Sequence, residues 1–145
     1  MFAEHEQTIL ARLRSKLADG VHVLALDQAD QKPELRQLSP AVFVAYDGLT
    51  PTGEGSQNGR VVQVRHEWVI VCSAESAIGA GDNHAAKVEA GRLAASVICA
   101  LAGFHLGQGK YLQLSESPGP EFESGYCWLP LIFTHTATMR GDHDT

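Results

Sequence analysis

"RVVQVRHEWVIVC" (Arg60 to Cys72) alternates for most of its length: Val62, Val64, His66, Trp68, Ile70 and Cys72 share one parity, while Gln63, Arg65 and Glu67 share the other. Successive side chains of a strand point to opposite faces, so the pattern predicts a long β-strand with its first parity in a core. The polar parity ends at Glu67. Beyond it Val69 and Val71 leave the strand apolar on both sides, and burial of both faces is expected there.

Upstream, "AVFVAYDG" (Ala41 to Gly48) lies between Pro40 and a glycine and carries β-branched and aromatic residues, which predicts a second buried strand. "DGLTPTGEGSQNGR" (Asp47 to Arg60) joins the two and holds Gly48, Gly53, Gly55 and Gly59 with almost no apolar side chain. It is expected to project into solvent as a flexible loop. Further back, Phe2, Ile9, Leu10, Leu13 and Leu17 fall near helical spacing, with Arg12, Arg14 and Lys16 directed elsewhere. Glu4 and Glu6 suit the positive end of that helix dipole, and Gly20 suits its termination. "VHVLALD" (Val21 to Asp27) reads as a short strand, connected onward by the polar "QADQKPELRQLSP".

Downstream, the chain from Asp82 to about Ala102 is rich in alanine with Val88, Leu93, Val97, Ile98 and Leu101, a long helix packed closely on the sheet. Gly91 lowers its propensity, which a close strand backbone would explain. "KYLQLSES" and "GYCWLPLIFTHTAT" predict two more strands around the turn residues "PGPEFES", and Pro130 favours an edge position or bulge in the last one. Helix, strand, strand, strand, helix, strand, strand is not a regular alternation. It predicts an α+β fold, a mostly antiparallel, mixed sheet of about five strands with two helices on one face. Residues 1–140 are expected to form one domain and 141–145 a flexible tail.

The 145 residues include 44% hydrophobic and 19% charged side chains, an ordinary globular balance. No stretch approaches the roughly 18 apolar residues of a membrane span, and the acidic start "MFAEHEQTIL" does not resemble a signal peptide. Cys72, Cys99 and Cys127 are widely spaced in apolar surroundings and read as reduced core thiols of a cytoplasmic product. The net charge of -6, with no cluster of lysine and arginine, disfavours a surface that grips nucleic acid.

"GAGDNH" (Gly79 to His84) stands where a dinucleotide fingerprint would, but His84 replaces its third glycine. No acid follows between Val97 and Gln113 to hold a ribose. Asp82 is better read as a helix N-cap. "GEGSQNG" (Gly53 to Gly59) lacks the lysine and Ser/Thr of a P-loop, and His66-Glu67 lacks the second histidine of a zinc protease motif. The seven histidines show no paired ligand spacing and read as scattered surface and sheet positions. No GxSxG elbow is present, and buried thiols are poor nucleophiles. Neither a cofactor, a metal nor a catalytic group is expected. The rival reading is a small enzyme or ligand-binding domain using a groove between the second helix and the sheet.

Four segments carry a resemblance: "EQTILARLRSKL" (Glu6 to Leu17), "LRQLSPAVFVAYDG" (Leu35 to Gly48), "EWVIVCSAES" (Glu67 to Ser76) and "GYCWLPLIFTHTAT" (Gly125 to Thr138). In this succession the chain resembles the Mu-like family of phage tail terminators, with the fold of the lambda tail-completion protein. The resemblance implies a structural virion protein of the tail or neck, assembled in the host cytoplasm. It would form a ring, a homohexamer, that caps the tail tube, stops its polymerisation and meets a head-tail connector. Another neck or tube component of similar fold is the nearest alternative. The major tail tube protein and the connector are the implied partners, and DNA would pass through an acidic lumen without specific binding. Gly48, Glu54, Arg60, Arg65 and Glu67 are the candidate assembly residues, and the loop from Gly48 to Arg60 is expected to order only on assembly. Glu54, Glu75, Asp82, Glu121 and Glu123, in predicted loops, are candidate interface or lumen charges.

Overall fold

The computed structural model describes residues 2–26, 39–53, 55–75, 83–107, 109–123 and 125–142. In chain order they form helix α1 (Phe2–Lys16) and strands β1 (His22–Ala25), β2 (Ala41–Pro51) and β3 (Val61–Glu75). Helix α2 (Asn83–Leu101) follows, then strands β4 (Gln113–Glu116), β5 (Glu121–Glu123) and β6 (Tyr126–Arg140). The sheet runs β1-β2-β3-β6-β4, with β5 also paired to β6. β1 and β2 are parallel and every other pair is antiparallel, so the sheet is mixed. The α+β fold is as the sequence predicts.

The alternation in β3 decides which face is covered. Trp68 lies opposite Tyr46 and Phe133, Ile70 opposite Val44 and Leu131, and Cys72 opposite Val42 and Leu129. These side chains pack with Ile9, Leu10 and Leu13 of α1 and Leu93, Val97 and Leu101 of α2 in one core. Both helices therefore lie on the same face, each large buried apolar side chain contributing roughly 1.5–3 kcal/mol relative to exposure. The basic residues of α1 are not idle: Arg14 donates to the carbonyl of Val23 at 2.8 Å and Arg12 to that of Ala100 at 3.0 Å. Arg12 thereby occupies an orphan carbonyl at the C-terminal turn of α2, and its guanidinium covers the Phe104 ring at 4.7 Å. Gly20 takes φ +93° just past α1, the left-handed turn its position suggested.

Four local expectations are corrected. "PGPEFES" is more than a turn, because Glu121 to Glu123 fold back through Gly125 (φ +81°) and pair with Tyr126 to Trp128, giving six strands rather than about five. Pro130 sits in a strand paired on both sides. Its carbonyl accepts the Ser117 hydroxyl at 2.8 Å on the β4 side, so its missing N–H points into the gap between the β5 and β4 pairings. Gly91 has no backbone near it; a Cβ there would meet open space. Cys72 and Cys127 are buried, but Cys99 is exposed, as is Val88, because both fall on the solvent side of α2.

Candidate assembly surface

The first residues of the loop expected from Gly48 to Arg60, Gly48 to Pro51, are strand. Gly48 adopts φ +103° at a bulge that shifts the register after Tyr46, and the chain then continues in β2 with Leu49, Thr50 and Pro51 opposite His66, Arg65 and Val64. On the other side of β3, Val61 to Arg65 pair with Arg140 to Thr136. The outer ends of β2, β3 and β6 thus make a three-stranded arm. Its parity places Leu49, Pro51, Val62 and Met139 on the side of the helices, and Gln63, Arg65, Thr138 and Arg140 on the other. Among the described residues no helix covers the outer part, where Leu49 and Met139 are exposed.

The tip is held by its own hydrogen bonds. Ser56 N–H donates to Val61 O at 3.1 Å, Val61 N–H to the Ser56 hydroxyl at 2.9 Å, and Arg60 N–H to Asn58 Oδ1 at 3.1 Å. Gly55 is packed so closely on the Val61 carbonyl that a Cβ has no room there. The ladder extends one step past β6, Gly141 N–H reaching Arg60 O at 2.7 Å. The described residues of this segment thus form a hydrogen-bonded turn at the end of the β2 and β3 ladder.

Gly48 and Glu67 are direct partners across β2 and β3; Arg65 is exposed two positions along β3, and Arg60 is exposed at the tip. These four line the arm, while Glu54 lies outside the described residues. Asp82 and most of "GAGDNH" also lie outside them. Glu75 closes β3, and Glu121 and Glu123 are strand residues of β5 rather than loop residues. Glu67 hydrogen-bonds the Asp47 carboxyl, and that contact, with burial and the negative charge of Asp47, raises its pKa; Glu116 adds to the effect and Arg65 opposes it.

At the base of the arm three histidines meet, which their spacing in sequence conceals. The His66 and His135 rings stack at 4.6 Å between centroids, and His5 from α1 meets His135 edge-on at 5.1 Å. The Tyr46 hydroxyl is 2.8 Å from His66 Nδ1, and Phe2 stacks on the Tyr46 ring at 4.4 Å. Trp68 Nε1–H donates to His135 Nδ1 at 3.2 Å, which puts the neutral ring's proton on Nε2, a buried atom without a hydrogen-bond partner among the described groups. Burial, then His66, His5 and Lys110, push the His135 pKa down to about 4. Burial also lowers His66 and His5, with Lys110 acting on both. The one available signal was cross-strand parity: His66 shares the parity of Trp68 in β3, and His135 that of Phe133 in β6.

This cluster is a packing layer. Its rings stack instead of converging their nitrogens, and among the described residues no group of three His, Cys, Asp or Glu is placed to hold a metal. Between α1 and α2 a cavity of about 430 Å³ is lined by Arg12, Lys16, Ser96 and Cys99. Between α2 and the sheet a smaller one of about 200 Å³ includes Glu89 and Arg92, which pair with each other at 3.0 Å. Neither gathers a nucleophile with a base and an orienting acid. Burial raises the Cys72 thiol to about 12 and raises Cys127 as well, which removes both as nucleophiles at neutral pH. No helix of the described residues is long and apolar enough to cross a membrane.

Together these features define an α+β domain of one mixed sheet and two helices whose most distinctive surface is an extended β arm. The chain belongs to the phage tail terminator protein family, whose model matches residues 2–144. It is thereby a structural protein of the phage tail with a role in tail completion, and the family resemblance drawn from the sequence holds over nearly its whole length. A comparison with curated proteins found no match.

Proposed function

We propose that this chain terminates the tail tube: copies of it close into a ring, a hexamer, on the end of the tube, stop the addition of tube subunits and offer the opposite surface to the head connector. The observation that carries this reading is the arm. It carries exposed apolar Leu49 and Met139 on one face, exposed Arg65 and Arg140 on the other and exposed Arg60 at the tip of a three-stranded support. Such a surface suits a protein contact better than a reaction. A ring requires a heterologous contact whose rotation closes, and an arm that reaches a different surface of its neighbour is a simple way to make one. Gly48, Glu67 and Arg65 belong to the base of this contact and Arg60 to its outer part. The protein acts without a cofactor and without catalysis, as a virion component built in the host cytoplasm, and DNA crosses the ring without specific binding.

The test is the solution mass by light scattering, alone and with the tail tube protein, followed by electron microscopy of the tube ends. Closed rings, free or at one end of tubes of uniform length, are expected. A chain that stays monomeric and leaves tube growth unchanged would overturn the proposal.

A further inference from the structure

Seven large hydrophobic side chains are exposed among the described residues: Phe2, Leu49, Val88, Tyr111, Leu114, Phe122 and Met139. Six of them fall into two groups, one on the arm and one on the open edge beside β6. Leu49 and Met139, each 42% exposed, lie on the arm, with Phe2 at its base on Tyr46. Tyr111 (51%), Leu114 (40%) and Phe122 (39%) lie at the open margin beside β6, on β4, β5 and the residues just before β4. That margin ends the sheet, every residue of β4 and β5 is exposed, and no described strand pairs with the outer side of β4. Open strand edges of this kind are pairing surfaces unless something covers them.

The two groups carry opposite charge. Register places Glu116 opposite Ile132, Glu121 opposite Trp128 and Glu123 opposite Tyr126, so all three acids lie on the face away from the helices. Glu67 and Asp47 continue the acidic row toward the base of the arm, close enough for Glu116 to influence Glu67. These acids border the half-buried Val69, Val71, Pro130 and Ile132 of the same face. Arg60 and Arg140 stand at the outer end of the arm, with Asp142 just past Arg140, and Arg65 stands nearer its base, two positions from Glu67; all three arginines are exposed. On the arm, apolar groups on the helix side back onto Arg65 and Arg140 on the other face; on the margin, Leu114 and Phe122 on the helix side back onto the three glutamates, so that the two surfaces match face for face with opposite charge.

We infer that the two surfaces are partners across copies: the arm of one protomer, through Leu49, Met139 and Arg60, Arg65 and Arg140, docks on the β4–β5 margin of the next, against Leu114, Phe122 and Glu116, Glu121 and Glu123. This inference rests on the ring reading above and names its contact. The contact is heterologous, since each copy offers a different surface on its two sides, and it repeats until it closes. Charge then sets register and discourages arm-to-arm pairing, where arginines would face arginines.

The experiment uses charge exchange on the full chain. One variant carries Arg60→Glu, Arg65→Glu and Arg140→Glu; the other carries Glu116→Lys, Glu121→Lys and Glu123→Lys. Circular dichroism first establishes that each is folded, with Arg140→Glu and Glu123→Lys alone as milder replacements for a triple variant that is not. Native mass spectrometry and electron microscopy then follow the wild type, each variant and an equimolar mixture. The wild type is expected to form rings, each variant alone to associate at least about 100-fold more weakly because like charges meet, and the mixture to recover rings containing both chains in equal number. Recovery is specific, because an arm made acidic now meets a margin made basic and the converse. Wild-type rings with variants that assemble alone as well as it does, or a folded mixture that recovers nothing, would overturn this contact and leave the ring standing. A wild type that makes no ring, free or on tube ends, would overturn both.

Discussion

His135 has no hydrogen-bond partner for Nε2 and sits between two other imidazoles, an environment that tolerates the neutral ring and rejects the charged one. Its folded pKa, about 4, lies below the ordinary 6.5, and those of His5 and His66 are lowered too. The unfolded chain therefore binds more protons than the folded one as pH falls. Stability from this layer is complete above about 6.5 and is lost as pH falls from there through about 4. Urea unfolding at steps between pH 7 and 4 should show this decline in the wild type and a shallower one in His135→Gln, which keeps a polar group but cannot take up a proton. Equal slopes would refute the assignment. The charged groups around the layer are few: Lys110 acts on all three rings, and Glu4 partly offsets it at His5.

Within the elements, two glycines make opposite predictions. Gly91 lies in the interior of α2 with open space where a Cβ would stand, so Gly91→Ala should stabilise the protein by up to about 1 kcal/mol, read as a raised Tm. Gly55 faces the Val61 carbonyl, and a methyl there forces the tip of the arm apart. Gly55→Ala should lower stability by about 1–3 kcal/mol, the ordinary cost of overpacking, and loosen the Ser56 and Asn58 hydrogen bonds that amide exchange can follow. A neutral Gly55→Ala would mean that the tip is not packed as described. The elements themselves were legible because their signals are local: alternation in β3, helical spacing in α1, alanine density in α2. The extension of β2 through Gly48 was not legible. Glycine, threonine and proline there carry turn chemistry, and only pairing with Arg65 and Val64 across the sheet overrides it.

For the molecule as a whole, the net charge of -6 combines with a segregation of charge along the sheet. A long-range repulsion of phosphates accompanies a local arginine group at the arm, which the proposed ring contact would cover with glutamates. The free protein should bind duplex DNA weakly, with few counterions released and a shallow dependence on salt in fluorescence anisotropy. A steep salt dependence would mean a basic surface facing the DNA path. Ring assembly should respond to salt in the same experiment, weakening as ionic strength rises, because its charges lie at an exposed margin.

By itself the sequence determined the strand alternation, the two helices, the mixed α+β class and, through four apolar segments, the tail terminator family. These follow from local periodicity, which each segment carries whatever its neighbours do. Only the tertiary structure decided that His5, His66 and His135 share one layer, that the ends of β2, β3 and β6 form one arm, and that exposed apolar groups gather on that arm and on the β4–β5 edge. The reason is register. Residues 5, 66 and 135 become neighbours when strands pair in one alignment and a helix docks on one face, and a shift of a single residue would turn every strand side chain to the other side.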